Sequence, residues 1–154
     1  MQSTVGVISD THGLLRPEAV DALAGADFII HAGDIGSPDV LDGLSQIGPV
    51  TAVRGNNDKG SWAQALPTTE VLEVGVCLLY VVHEIQALDL DPRAAGFQAV
   101  ITGHSHQPFA EVRGGVLFLN PGSAGPRRFK LPVAVARIQV DGSSLSHEFV
   151  ELAV

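Results

Sequence analysis

The sequence predicts an α/β fold in which a largely parallel sheet forms first and a β-rich second half packs on it. Three observations predict it. Up to about residue 54, short apolar runs alternate with segments of helical periodicity, the pattern of parallel strands joined by crossover helices. Beyond that point the apolar runs are separated by Gly-containing turns, and helical periodicity fades. Residues able to bind metal recur at or just after the apolar runs: Asp10, His12, Asp34, Asn56, His83, His104 and His106. In an open α/β sheet that is the carboxyl edge, where ligands are bound.

Taken in order, Thr4 to Ser9 (TVGVIS) is a buried strand ending at Asp10-Thr11-His12-Gly13. Arg16-Pro17-Glu18 opens a helix with Pro in its first turn, and Val20, Leu23 and Ala24 make its apolar stripe before Gly25. Phe28 to His31 is the second strand, followed by Gly33-Asp34. Ser37 caps a second helix with Pro38 first in it and Val40, Leu41, Leu44 and Ile47 on its core face. Val50 to Arg54 is the third strand and leads into Gly55-Asn56-Asn57-Asp58. Such alternation implies right-handed crossovers. Residues 55–67 form the longest stretch without periodicity. Thr69 to Val74 and Val76 to Val82 flank Gly75 as a hairpin, and a turn or short helix near Asp91 to Ala95 precedes the strand Phe97 to Thr102. Val112 to Leu119, Val133 to Val140 and Leu145 to Leu152 are further strands, with Gly114-Gly115 and Asp141-Gly142 as turn dipeptides among them.

Composition narrows the function. At 154 residues and 45% hydrophobic content the chain can bury a sizeable core, and one domain spanning residues 1–154 is expected. No apolar run approaches the ~20 residues that cross a bilayer, and MQSTVGVISD lacks the basic and apolar regions of a signal peptide, so a cytoplasmic protein with no membrane partner is expected. The formal net charge of −8 provides no general field for nucleic acid, so strong nucleic-acid binding is not expected. Cys77, the only cysteine, lies in the run VGVCLLYVV and reads as a small core residue. An apolar β-rich half allows a two-fold homodimer.

The ligand types point to chemistry. Carboxylate, imidazole and amide make a mixed oxygen and nitrogen set that suits Mn, Fe, Zn or Ni better than an all-oxygen or all-thiolate cage. A single Asp after a strand is more often a cap or turn residue. An Asp-x-His pair, two Gly-led ligands and a Gly-His-x-His in order are far harder to explain that way. His31, ending a strand ahead of Gly33-Asp34, reads as a residue that supports the site from behind. His147 reads as a surface residue, and Trp62 and Phe129 as packing residues sooner than stacking platforms.

ISDTHG at 8–13, HAGD at 31–34, VRGNND at 53–58, TGHSHQP at 102–108 and NPGS at 120–123 resemble the calcineurin-like metallophosphoesterases, and most closely their small phosphodiesterase branch. The resemblance covers nearly the whole chain. It implies a four-layer α/β/β/α sandwich of two mixed β-sheets flanked by helices. It also implies two divalent metal ions, Mn first and Fe, Ni, Zn or Mg as alternatives. One would take Asp10, His12, Asp34 and His106, and the other Asp34, Asn56, His83 and His104, with Asp34 bridging. Asp34, His12 and Asn56 would then stand at the reacting centre, where a hydroxide shared by the metals attacks the phosphorus of a small phosphate ester. Asn56 can bind metal through its oxygen while its NH2 donates to phosphate.

Substrate contacts implied by the resemblance are Asn57, in the place of the His that assists the leaving group in the phosphoprotein phosphatases, and Arg127 of Pro126-Arg127, preferred over Arg54 and Arg128. Asn57 can donate a hydrogen bond but cannot act as a general acid. Glu84 stands where relatives carry Gly, and is expected to point to solvent or else to steer anionic substrates. The stretches 57–82 and 84–103 are too short for a capping domain, so the site is expected to be open. A metal-dependent phosphodiesterase is the reading these features support. The alternatives are a phosphomonoesterase acting on nucleotides or phosphoproteins, and a non-catalytic scaffold like the retromer subunit that shares the fold.

Overall fold

The structure, a computed structural model, describes residues 2–154. The first half supplies β1 (Gln2–Ile8), α1 (Pro17–Leu23), β2 (Phe28–His31), α2 (Pro38–Ser45) and β3 (Val50–Ala52). The remainder supplies α3 (Ser61–Gln64), β4 (Thr69–Val74), β5 (Cys77–Val82), a 3-10 turn (Ile85–Ala87), β6 (Ala99–Ile101), β7 (Phe109–Arg113), β8 (Val116–Asn120), β9 (Ala134–Asp141) and β10 (Ser144–Glu151). They form two mixed five-stranded sheets, ordered β10-β9-β1-β2-β3 and β4-β5-β6-β8-β7.

Side-chain alternation builds the layers. Val5, Val7, Ile30, Ala32 and Val53 of the first sheet meet Leu79, Val81, Ile101 and Leu119 of the second in the central core. Ile8 and Ile29 point the other way and receive Ala19 and Leu23 of α1 and Val40 and Leu44 of α2. Ser37 caps α2 by accepting a hydrogen bond from the Asp39 amide at 3.1 Å, with Pro38 first in the helix. On the outer face of the second sheet, Tyr80, Val82, Val100 and Val116 are covered by Leu88, Leu90 and Phe97 from the segment that contains the 3-10 turn, so this fourth layer is thin.

Register decides where the loops emerge. The parallel pairs β1/β2 and β2/β3 place Ile8 opposite His31 and His31 opposite Ala52, so three strands end level at one edge. In the second sheet Val81, Ile101 and Leu119 are likewise aligned across β5, β6 and β8. Every loop that carries a candidate ligand leaves from one of these two edges.

The second half does not form the second sheet alone: β9 and β10 join the first, where β9 pairs antiparallel with β1 and makes that sheet mixed. Two elements also differ from expectation. The strand expected over Val112 to Leu119 is a hairpin, because Gly114 and Gly115 both have positive φ (56° and 80°) and reverse the chain in two residues, pairing Arg113 with Val116. The stretch 55–67 contains α3, a single turn too short to display periodicity, whose Trp62 packs against the α1/α2 core.

Candidate metal centre

Five of the candidate ligands have backbones in the left-handed region: Asp10 (φ 55°), His12 (48°), Asp34 (56°), His104 (73°) and His106 (64°). For non-Gly residues this costs on the order of 1 kcal/mol each and persists only where the surroundings impose it. Here the loops impose it on one another. The amides of Asp10, His12 and Gly13 donate to the carbonyls of Gly33, Asp34 and Ile35 at 3.0, 3.0 and 2.7 Å. The β1/β2 pairing thus continues past the strand ends as a loop-to-loop ladder.

Two groups of donors result. Asp10, His12 and His106 offer ligand atoms within 4.8 Å of one another, and so do Asp34, His83 and His104. His12 Nε2 and His106 Nε2 face each other at 3.3 Å, about the separation of two nitrogens each ~2.1 Å from one ion. Asp34 Oδ2 lies 3.3 Å from His83 Nε2 and 3.9 Å from His12 Nε2, within reach of both groups. Asn56 lines the cleft beside His83.

The donor set fits metal on physical grounds. Asp10 Oδ1 and His83 Nε2 are buried without a hydrogen-bond partner among the described residues, a costly state for polar atoms unless a further ligand satisfies them. His83 donates from Nδ1 to the Ala32 carbonyl at 2.7 Å, which turns Nε2 toward Asp34, 3.3 Å away. Borderline divalent ions accept such a mixture of carboxylate and imidazole.

Charge is arranged accordingly. Burial opposes ionisation of Asp10, but the His106 ring, the Ser9 hydroxyl and the charge of His83 outweigh it and hold the carboxyl below its ordinary range. Asp34 is held far lower: burial again opposes, while His83 and the Asn57 backbone amide stabilise the anion. Burial pulls His83 down, yet Asp34 and Asp10 raise it above an ordinary imidazole. Two anions therefore already stand where cations would sit.

Residues 4–143 match the sequence profile of the calcineurin-like phosphoesterase superfamily domain. The chain belongs to that superfamily. A probable metallophosphoesterase of Methanothermobacter thermautotrophicus is 35% identical over 95% of this chain and 91% of its own. The crystal structure of a predicted phosphoesterase from Streptococcus pneumoniae TIGR4 superposes with a TM-score of 0.75 at 28% identity, covering 98% of this chain and 90% of that one. Vps29 from Entamoeba histolytica, crystallised with zinc, has the same fold (TM-score 0.75, 24% identity, covering 96% and 98%).

In this phosphoesterase domain a second layer of residues holds the ligands. Asp58 accepts from the amides of Ile35 (3.1 Å), Gly36 (2.9 Å) and Gly55 (2.9 Å), tying the Asp34 loop to the Asn56 loop. Ser9 donates to Asp10 Oδ2 at 2.6 Å, and the His104 amide donates to the same oxygen at 3.0 Å. Asn120 donates to the Gly103 carbonyl (2.9 Å) and to Ser105 Oγ (3.0 Å), and Ser123 donates to the Asp10 carbonyl (3.0 Å). Sequence reasoning gave none of these a role, although each lies inside one of the family motifs. Their task depends on chain-distant partners, so only motif membership could have marked them.

His31 belongs to this layer, as expected. The Gly33 amide donates to its Nδ1 at 3.1 Å, so Nε2 carries the proton and donates to Thr11 Oγ1 at 3.0 Å. Burial pushes its pKa from 6.5 to about 4. Between those values the unfolded chain binds more protons than the folded one. This group's contribution is therefore fully present above pH 6.5 and is lost as pH falls toward 4, by on the order of 3 kcal/mol. Urea unfolding at pH 7 and pH 4.5 should show this loss in the native protein and a clearly shallower one in His31→Gln.

Three expectations need correction. Arg127 does not line the cleft: its guanidinium donates to the carbonyls of Leu131 (3.2 Å) and Val154 (3.0 Å), and Arg54 and Lys59 line the cleft instead. Asn57 is committed to Asp34, its backbone amide donating to Oδ1 at 2.9 Å and its side-chain amide to Oδ2 at 3.0 Å, so it orients the Asp34 carboxylate. Glu84 turns toward the site, with Oε1 3.7 Å from His104 Nδ1. The cause is common to all three: each partner is far away in sequence or set by a loop conformation that local pattern does not encode.

Proposed function

We propose that this domain is a dinuclear metal-dependent phosphodiesterase. The observation that carries the reading is the pair of ligand groups with Asp34 within reach of both and two buried polar atoms, Asp10 Oδ1 and His83 Nε2, unpartnered among them. Asp10, His12, Asp34 and His106 would hold one ion, and Asp34, Asn56, His83 and His104 the other. Bound there, two divalent cations neutralise phosphate charge and bring the pKa of water toward neutrality. Manganese remains the first expectation; the zinc bound by the Entamoeba Vps29 of the same fold keeps zinc among the alternatives.

The chain's own residues supply orientation. The left-handed loop backbones bring Asp10 and Asp34 each to 3.9 Å from His12 Nε2, and Asn57 holds both oxygens of Asp34. Asn56 presents an amide NH2 to a phosphate oxygen, and Arg54 and Lys59 bring positive charge into a cleft of about 1000 Å³. A wide cleft with few walls suits a diester, whose two arms both need room.

The deciding experiment combines metal content per chain with rates on a bis-aryl and a mono-aryl phosphate. Two ions per chain and faster diester hydrolysis are expected. Faster monoester hydrolysis would make the protein a phosphomonoesterase. Full metal occupancy with neither hydrolysed would favour a scaffold, the reading raised by the Vps29 likeness.

A further inference from the structure

A second recess adjoins the centre at His104. It measures about 360 Å³ and lies between the 3-10 turn, the His104 loop and the β7/β8 hairpin. Its walls are mainly apolar: Ile85, Phe109 and Phe118 line it, with Arg113 and Gln107 at its polar margin. The Arg113 guanidinium carbon sits over the Phe118 ring, 4.4 Å from its centroid. Phe109 and Ile85 are 46% and 39% exposed, large apolar surfaces left open to water beside a polar site. His104 belongs both to this lining and to the ligand group with Asp34 and His83. The cleft that holds Asn56, Arg54 and Lys59 opens by way of His83 and Glu84. The centre is therefore flanked by one polar and one apolar recess, and a diester has two arms.

We infer that the apolar recess is the subsite for a flat aromatic arm of the phosphate ester, an aryl ring or a nucleobase. A phosphoryl group beside His104 projects one arm past Ile85 onto the Phe109 and Phe118 edges, where the Arg113 plane borders the ring. A pocket of this volume accommodates one or two rings. An aliphatic arm fills little of it and gains neither ring stacking nor the cation's attraction. This inference rests on the phosphoesterase reading above.

The test is binding of phenylphosphonate and methylphosphonate to the zinc-loaded full chain, followed by calorimetry and by amide chemical shifts. The native protein should prefer phenylphosphonate by at least about tenfold, a difference of about 1.4 kcal/mol. Phenylphosphonate, unlike methylphosphonate, should shift the amides of Gln107, Phe109 and Arg113. Phe109→Ala and Arg113→Ala should each reduce the preference, while Val112→Ala, on the same strand but outside the recess, should retain it. Equal affinities in the native protein, or a preference that survives both recess variants, would overturn the subsite. If the zinc-loaded protein bound neither phosphonate, the phosphoesterase reading would itself fail and the subsite with it.

Discussion

Asp34→Asn is expected to abolish the thermal stabilisation that divalent metal confers, and to lower the melting temperature of the metal-free protein as well, since the folded state stabilises the Asp34 anion. The carboxylate reaches both ligand groups, so its charge serves both. In the metal-free protein that charge is partly redundant, because Asp10 also faces His83 and His106. Asn is isosteric and can still accept one of the two Asn57 hydrogen bonds, while its NH2 faces the other donor, so the local fold is loosened and not lost. With metal present, a shared anionic ligand is lost. Changes to groups that merely support a ligand cost ~10 to 100-fold in affinity, so loss of the ligand itself should cost on the order of a hundredfold or more. At a metal concentration of 100 times the native Kd the native protein gains about 2.7 kcal/mol of stability, and the variant should gain almost none. Thermal melts with and without Mn or Zn read both quantities. An undiminished metal-induced shift would remove Asp34 from the centre.

Gly55→Ala should be among the most damaging small substitutions in the chain. A Cβ there would be forced into the Asp34 amide nitrogen and Oδ1, and would come 2.9 Å from Asp34 Cα. Asp34 cannot retreat, since its carbonyl accepts the His12 amide at 3.0 Å and its carboxylate is held by Asn57 at 2.9 and 3.0 Å. Overpacking of this kind costs about 3 kcal/mol when the obstacle is backbone. For a chain of this size that lowers the melting temperature by on the order of 10 °C. Metal affinity should fall as well, because any relief displaces Asp34. Gly75→Asn is the comparison: Gly75 has φ 59°, which Asn tolerates, and nothing lies within 4 Å of its Cβ position. A melting temperature for Gly55→Ala no lower than that of Gly75→Asn would refute the clash.

Much of the fold was legible in the chain because its signals are local. Val5, Val7 and Ile8 read as a buried strand, Ser37-Pro38 as a helix start, and Gly75 and Asp141-Gly142 as hairpin turns, and each depends on neighbours within a few residues. Even the Gly114-Gly115 hairpin was present in the dipeptide, although the apolar run through it suggested one strand. The one-turn α3 was hidden because a four-residue helix has no period to detect. For the candidate site, the positions of the donors were legible, since each follows a strand. Asp58 was not, because its three donors come from two different loops.

The sequence by itself determined which donors are available, on which strand ends they stand and in what order, and hence the family. Tertiary structure decided how they are grouped. Alignment of Ile8, His31 and Ala52 in one sheet and of Val81, Ile101 and Leu119 in the other brings six donors into two triads and puts Asp34 between them. It also assigned Arg127 to the carbonyls of Leu131 and Val154, Asn57 to Asp34, and Glu84 to the neighbourhood of His104. The physical reason is range: backbone preference and side-chain alternation act over a few residues, whereas the partner of a polar side chain is whichever group the packing of two sheets delivers to it.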